Sequence, residues 1–204
     1  MLFRSLGDLF DFYNTSRYGK YRLDFNAKIE IDMYITFLEH LRELFPTQRI
    51  IFTEGNHEMR WRDYMVANAP KLYGIPLLEL NELLGFTKHR IEFVTNNRIV
   101  KIGKMSFHHG NKHAVGTVNP ARNLFTKTKC NFVIGDKHKT RSYIQTAANG
   151  TRIETHVLGC LCHLSQEYLP ESFNEWNQGF GYMINKEDDF EFKNIRIEKG
   201  NIIE

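Results

Sequence analysis

Five polar residues of metal-binding type stand at the ends of apolar runs in this sequence: Asp8, Asn56, His109, Asp136 and His138. Carboxylate, carboxamide and imidazole groups are the donors of mixed nitrogen and oxygen sites for divalent cations, so together they point to a metal cluster. Taken singly, each has an ordinary reading. A lone Asp after Gly is usually a turn or helix cap, and a lone His is usually hydrogen-bonded or solvated. The run Gly55-Asn56-His57-Glu58 says more. Gly lets the backbone turn sharply, after which a carboxamide oxygen and an imidazole can face one cleft.

The elements that must position these residues follow from periodicity. Residues 2–6 read as a short buried strand that stops at Gly7-Asp8, with a loop of aromatic and basic residues behind it. Over 27–45, the residues Tyr34, Phe37, Leu38, Leu41, Leu44 and Phe45 recur at helical spacing as far as Pro46, predicting an amphipathic helix. Residues 49–53 read as a strand ending at Glu54-Gly55, followed by a helical stretch to Ala69 before Pro70. A short helix is expected over 77–84, then strands over 90–94, 98–102 and 104–108, the last ending at His109-Gly110. A helix near 120–128 precedes a strand over 131–134, which delivers Gly135-Asp136-Lys137-His138. Strands with turns at Asn149-Gly150 and Lys199-Gly200 fill the rest. The polar residues thus sit at strand ends, where α/β sheets place ligand sites.

At 204 residues, 42% hydrophobic and 25% charged, the chain can bury one full-sized core, and a single domain over 1–204 is expected. No repeat, low-complexity stretch or linker interrupts it. Lys and Arg exceed Asp and Glu by only 27 to 24, so charge alone marks no nucleic-acid binder. The three cysteines are an odd number, which favours free thiols in a reducing compartment. Cys160 and Cys162 are read as alternating between the faces of a strand, packed or near the cleft, with no nucleophilic role. No apolar run approaches the roughly 20 residues of a membrane span, and charged Asp8 comes too early for a signal peptide. The expectation is a cytoplasmic protein, in the host cytoplasm if phage-encoded, with no membrane partner.

Gly7-Asp8-Leu9-Phe10-Asp11, Gly55-Asn56-His57-Glu58, His109-Gly110 and Gly135-Asp136-Lys137-His138 resemble, in order and strand context, the motifs of calcineurin-like metallophosphoesterases. The stretch from Asp11 through Arg17 to Tyr18, together with Gly159-Cys160-Leu161-Cys162 and Trp176-Asn177-Gln178-Gly179-Phe180, resembles the bacteriophage-type branch. The resemblance implies an α/β (α+β) fold, a β-sandwich flanked by helices in α-β-β-α layers. It also implies two adjacent divalent metals, with manganese expected first and iron, zinc or magnesium compatible, and an activated water attacking phosphorus. Carried over residue by residue, Asp8 would bridge both metals, Asn56 and His109 would bind the second, and His138 the first. His57 matches the family's non-ligand imidazole, which protonates the leaving oxygen, and Asp11 the acid that orients it. Arg17, Arg60 and Arg62 are candidate phosphate contacts, because guanidinium forks match phosphate oxygens.

Two departures from the family pattern accompany the match. The family's first Asp-x-His motif has no counterpart before Gly7, so Met1 is expected to be an internal start, with a strand and helix of the parent fold missing. Asp136 stands where the family has a His on the second metal, which favours manganese or magnesium and weakens water activation. One metal is therefore expected rather than two, and self-association through the surface left by truncation is expected. The resulting function is hydrolysis of phosphomonoesters or phosphodiesters, with a nucleic acid or nucleotide as substrate. The alternative is a catalytically crippled remnant that binds one metal or phosphate, or a fragment that needs a complementing N-terminal piece. His108 and His113 are read as non-ligands, and Trp176 and Phe180 as packing residues that could also stack a base.

Overall fold

The computed structural model describes residues 2–17, 26–95, 98–112, 118–165, 174–187 and 189–203. The chain divides into two compact units, Met1–Arg98 and Ile99–Glu204, each mixing helices and strands. His113 and Tyr18 lie outside the described residues.

In the first unit β1 (Leu2–Ser5), β2 (Arg49–Thr53) and β3 (Ile91–Val94) pair in that order, all parallel. Each crossover carries helix, as parallel pairing requires. Central β2 has Ile50, Ile51 and Phe52 almost wholly buried, which suits its continuous apolar run. Helix α1 (Ala27–Leu44) begins at Asn26, whose side chain accepts the Ile29 N–H at 3.1 Å. Its buried stripe is narrower than its apolar spacing implies. Leu38 and Leu41 are buried, whereas Phe37 and Leu44 stay 41% and 59% exposed.

Helix α2 (Asn56–Asn68) follows β2 directly. The single helix expected over 77–84 is instead a 3-10 turn, Pro76–Leu78, and a short α3 (Leu80–Leu83). Glu79 between them is extended (φ −73°, ψ 140°), which breaks the helix. A further 3-10 turn, Tyr13–Thr15, lies in the aromatic loop, where no element was expected. Phe10, Phe12, Phe52 and Phe86 fill the core with Leu38 and Leu84, and their rings meet at 5.3 Å (Phe10 with Phe52) and 5.2 Å (Phe52 with Phe86).

The second unit holds a five-stranded sheet of β4 (Val100–Ile102), β5 (Met105–His108), β6 (Phe132–Ile134), β7 (Arg141–Thr146) and β8 (Arg152–Val157), in the order β4-β5-β6-β8-β7. Its inner pairs, β5 with β6 and β6 with β8, are parallel, and its edges are antiparallel. Helix α4 (Pro120–Thr128) has Pro at its first position and Asn119 accepting the Arg122 N–H at 2.9 Å. It packs Ala121 and Leu124 on Phe132, Ile134 and Val157. Strands β9 (Gln178–Asn185), β10 (Phe190–Glu198) and β11 (Asn201–Ile203) form an antiparallel meander. Its last turn is Lys199-Gly200, both with positive φ (50° and 80°), the backbone a two-residue hairpin demands. The expected mixed α and β class is present, as four α-helices and three sheets among the described residues.

Candidate functional site

In the first unit β1 delivers Gly7 and Asp8 with φ of 99° and 53°, left-handed backbone that Gly adopts freely and Asp tolerates. Side chains from α1 and α2 then bind the amides of the loop. Glu58, wholly buried in the first turn of α2, accepts the N–H groups of Gly55 (2.6 Å), Asp8 (2.9 Å) and Phe10 (3.1 Å). Tyr34 Oη accepts the Asp11 N–H at 3.0 Å, and Glu30 accepts the Phe12 N–H at 2.5 Å. Four amides of residues 8–12 are thereby fixed, with Phe10 and Phe12 sealed in the core between them. Gly55 is obligatory, because a Cβ there would stand 2.1 Å from Asp8 Oδ1 and 2.5 Å from Asp8 N.

This frame sets His57 against two carboxylates. Its N–H donates to Asp8 Oδ1 at 2.9 Å, its Nε2 lies 3.8 Å from Asp8 Oδ2, and its Nδ1 lies 3.1 Å from Asp11 Oδ1. Arg60 sits one turn on along the same face of α2. It donates to Asp11 Oδ1 (2.6 Å) and to the Asp11 carbonyl (2.7 Å), with Nη2 2.9 Å from His57 Nε2. A guanidinium only donates and a carboxylate ion only accepts, so this arrangement fits the imidazole tautomer protonated on Nδ1. Burial pushes the Asp11 carboxyl up, but the hydrogen bonds and charges of His57 and Arg60 outweigh it and hold Asp11 below the usual carboxylate range. Burial and the Asp8 charge push Glu58 up to about 7, despite its three amide donors.

Asn56 is half-buried at the first position of α2. The three arginines are not equivalent. Arg62 turns from Arg60 toward Glu54, with 3.7 Å between Nη1 and Oε1, and lines a cleft of about 240 Å³ with Trp61, Tyr73, Asn81 and Thr95. Arg17 is exposed, two residues beyond the 3-10 turn at Tyr13–Thr15.

In the second unit His108 ends β5 and His109 follows it, and both are buried. The N–H groups of Gly135 and Asp136 both donate to the His109 carbonyl at 3.0 Å, tying the loop after β6 to the loop after β5. Gly110 permits the approach, since a Cβ there would lie 2.8 Å from Ile134 Cβ. His109 Nε2 stands 3.2 Å from Asp136 Oδ1, and Lys137 Nζ 2.5 Å from Asp136 Oδ2. Burial pushes Asp136 up, but hydrogen bonds and charge from His109 and Lys137 bring it down to about 2. His108 turns otherwise, its Nδ1 accepting the Gly110 N–H at 3.0 Å. A buried imidazole beside an ionised carboxylate suits a hard to borderline divalent cation, as does the Asp8 carboxylate in the first unit. Lys137 competes for one of the Asp136 oxygens.

His138, at φ 54° in the loop after β6, meets the half-buried Trp176 edge-on, with centroids 4.4 Å apart. Phe180 lies within β9, paired with Ile195. The cysteines differ from the expected strand alternation. They lie beyond the end of β8, where only Cys160 pairs, through an isolated bridge to Gln178. Freed from strand geometry, both thiols lie within 4.8 Å of each other and of a His138 ring nitrogen. A hydrogen bond with Cys162 brings the Cys160 thiol down to about 7, against the opposing effect of burial.

Glu58, Glu30 and Tyr34 as builders of the Asp8 loop, and the thiol cluster, were not foreseen. Only Glu58 had a local signal, an acid three residues after the Gly that opens a helix. Comparison of the chain with protein-family models, with curated proteins and with solved structures finds no match.

Proposed function

We propose that this chain is a metal-dependent phosphoesterase acting on phosphomonoesters or phosphodiesters, with a nucleic acid or nucleotide as substrate. The observation that carries this reading is the His57 imidazole, held at Nδ1 by Asp11 and flanked at Nε2 by Arg60 and Asp8. Asp11 stays ionised at neutral pH and accepts the Nδ1 proton, so Nε2 is the ring atom left to exchange a proton with substrate, taking one up before it can give it to a leaving oxygen. Arg60 is within reach of the same position and offers a planar fork to phosphate oxygens. Asp8 and Asn56 in the first unit, and His109, Asp136 and His138 in the second, are the candidate ligands. A divalent cation, manganese by preference, would supply Lewis-acid polarisation and water activation when bound. The ordered motifs that resemble calcineurin-like metallophosphoesterases support the same reading, with the α-β-β-α layering as the fold it implies.

The test is hydrolysis of bis-p-nitrophenyl phosphate and p-nitrophenyl phosphate with added manganese. The chain should turn over one of them, His57→Ala should lose roughly 10²–10⁴-fold, and Asp8→Asn combined with His109→Ala should abolish the metal response. Turnover that ignores both variants would sink the proposal. A second reading, a non-catalytic chain that binds one metal or phosphate, is favoured by the hold of Lys137 on Asp136. Manganese binding without turnover by the chain would establish it.

A further inference from the structure

We propose that His138, Cys160 and Cys162 form a nitrogen-and-sulfur site for a borderline-soft metal ion, Zn2+ in particular. The site is argued from the second unit alone and does not rest on the phosphoesterase reading, which with His138 on zinc keeps Asp8, Asn56, His109 and Asp136 as its candidate ligands.

Three ligating atoms, one ring nitrogen and two sulfurs, already lie within 4.8 Å of one another. Zn–S and Zn–N bonds of about 2.3 and 2.0 Å at tetrahedral angles put neighbouring ligand atoms roughly 3.5–3.8 Å apart. Closing each pair by about 1.3 Å at most therefore completes the set. Two thiolates and an imidazole select zinc over manganese or magnesium, which prefer oxygen. Three protein ligands leave one tetrahedral position open, the pattern of zinc sites that hold water or substrate, and the exposure of Cys162 leaves that side accessible.

The backbone around the cluster is built to hold it. Asn177 is buried and joins the two ligand-bearing loops. Its N–H donates to the His138 carbonyl at 2.9 Å, its carbonyl accepts the Cys160 N–H at 3.0 Å, and its side chain accepts the Thr140 N–H at 2.8 Å. Gln178 Nε2 donates to the Cys162 carbonyl at 3.2 Å. Gly159 fits because a Cβ there would stand 2.6 Å from the Asn177 carbonyl oxygen. Trp176 packs edge-on against the His138 ring, limiting its rotation. Hydrogen bonds that hold the ligand-bearing backbone in place favour a metal site over a chance meeting of side chains. Each thiol gives up its proton on binding, so metal uptake releases protons.

The experiment is a Co2+ titration of the reduced, metal-free full chain, followed by absorption, with Zn2+ then added to displace the cobalt. Sulfur-to-cobalt charge transfer in the near ultraviolet should saturate at one ion per chain and vanish on Zn2+ addition. Cys162→Ser should weaken Zn2+ binding by more than the roughly 10–100-fold typical of losing an outer-shell partner. Cys160→Ser with Cys162→Ser should abolish the band, and Cys130→Ser should leave it unchanged. In parallel, Zn2+ should protect Cys160 and Cys162, but not the exposed Cys130, from alkylation, a readout that does not depend on the fold of any variant. Absent charge transfer, a band that survives the double variant, or alkylation of Cys160 and Cys162 unaffected by Zn2+ each overturns the proposal. Phosphate-ester turnover is read separately, so its absence beside an intact charge-transfer band refutes only the phosphoesterase reading.

Discussion

Glu58 and Asp136 are carboxylates shielded from solvent, one in each unit, and their surroundings drive them in opposite directions. Glu58 accepts three backbone N–H groups at 2.6–3.1 Å and is nevertheless pushed up to about 7, because it is wholly enclosed with the Asp8 charge beside it. Asp136 has fewer donors, but these are His109 and the Lys137 ammonium, and it falls to about 2. Neutral amide donors do not offset burial plus a like charge, whereas a cation does. Depth of burial, together with the charge carried by the hydrogen-bond donors and neighbours, separates the two carboxylates, and the count of hydrogen bonds alone does not. In the first unit Glu58 organises the loop that carries Asp8 and Asp11, and in the second Asp136 is itself a candidate ligand.

Removing the organiser should have the largest effect. Glu58→Ala strands three amides, at about 1–3 kcal/mol for each buried group left unpaired, and should cost the full chain on the order of 4 kcal/mol in urea denaturation. A loss under about 1 kcal/mol would mean that water satisfies those amides instead. Next comes Gly55→Ala, where the new Cβ meets Asp8 backbone and carboxylate, with an expected cost of about 3 kcal/mol. Gly150→Ala is the control. Its φ of 83° is strained for Ala but nothing lies within 4 Å, so about 1 kcal/mol is expected, and equal costs would refute the close-approach argument.

For Asp136 the folded value of about 2 lies below the ordinary 3.8. Its stabilisation is therefore complete above pH 4 and lost as pH falls toward 2, and Asp136→Asn should remove roughly 2 kcal/mol at neutral pH, measured with chelator present. For Glu58 the sign reverses. A folded value of about 7 above the ordinary 4.5 means that the folded state holds the extra proton, so stability declines as pH rises through that window. Relative to Glu58→Gln, the unaltered chain should lose about 5–10 °C of Tm between pH 5 and pH 7.5. A flat difference between the two proteins would show that Glu58 is already ionised.

Much of the fold is local and was legible. The helical stretches over 27–45 and near 120–128 and the breakers at Pro46 and Gly55 are short-range signals, and α1, α2, α4 and β2 start or stop close to them. Strand ends carrying Asp8, His109 and Asp136 could be read for the same reason, since burial of a strand and exposure of the loop after it are written in consecutive residues. The break at Glu79 and the exposure of Phe37 and Leu44 were not legible, because both depend on what packs nearby.

By itself, then, the sequence determined which residue types end each strand and where the longer helices lie, because those depend on neighbours within a turn or two. Only the tertiary structure decided which side chain answers which. Glu58 reaches Asp8 and Phe10 across about 50 residues, Arg60 rather than Arg62 joins His57 and Asp11, and Cys160 and Cys162 close on His138 from a loop instead of a strand. Those pairings follow from how β1 lies beside β2 and how Asn177 ties two loops together, and no local pattern encodes contacts made across such separations.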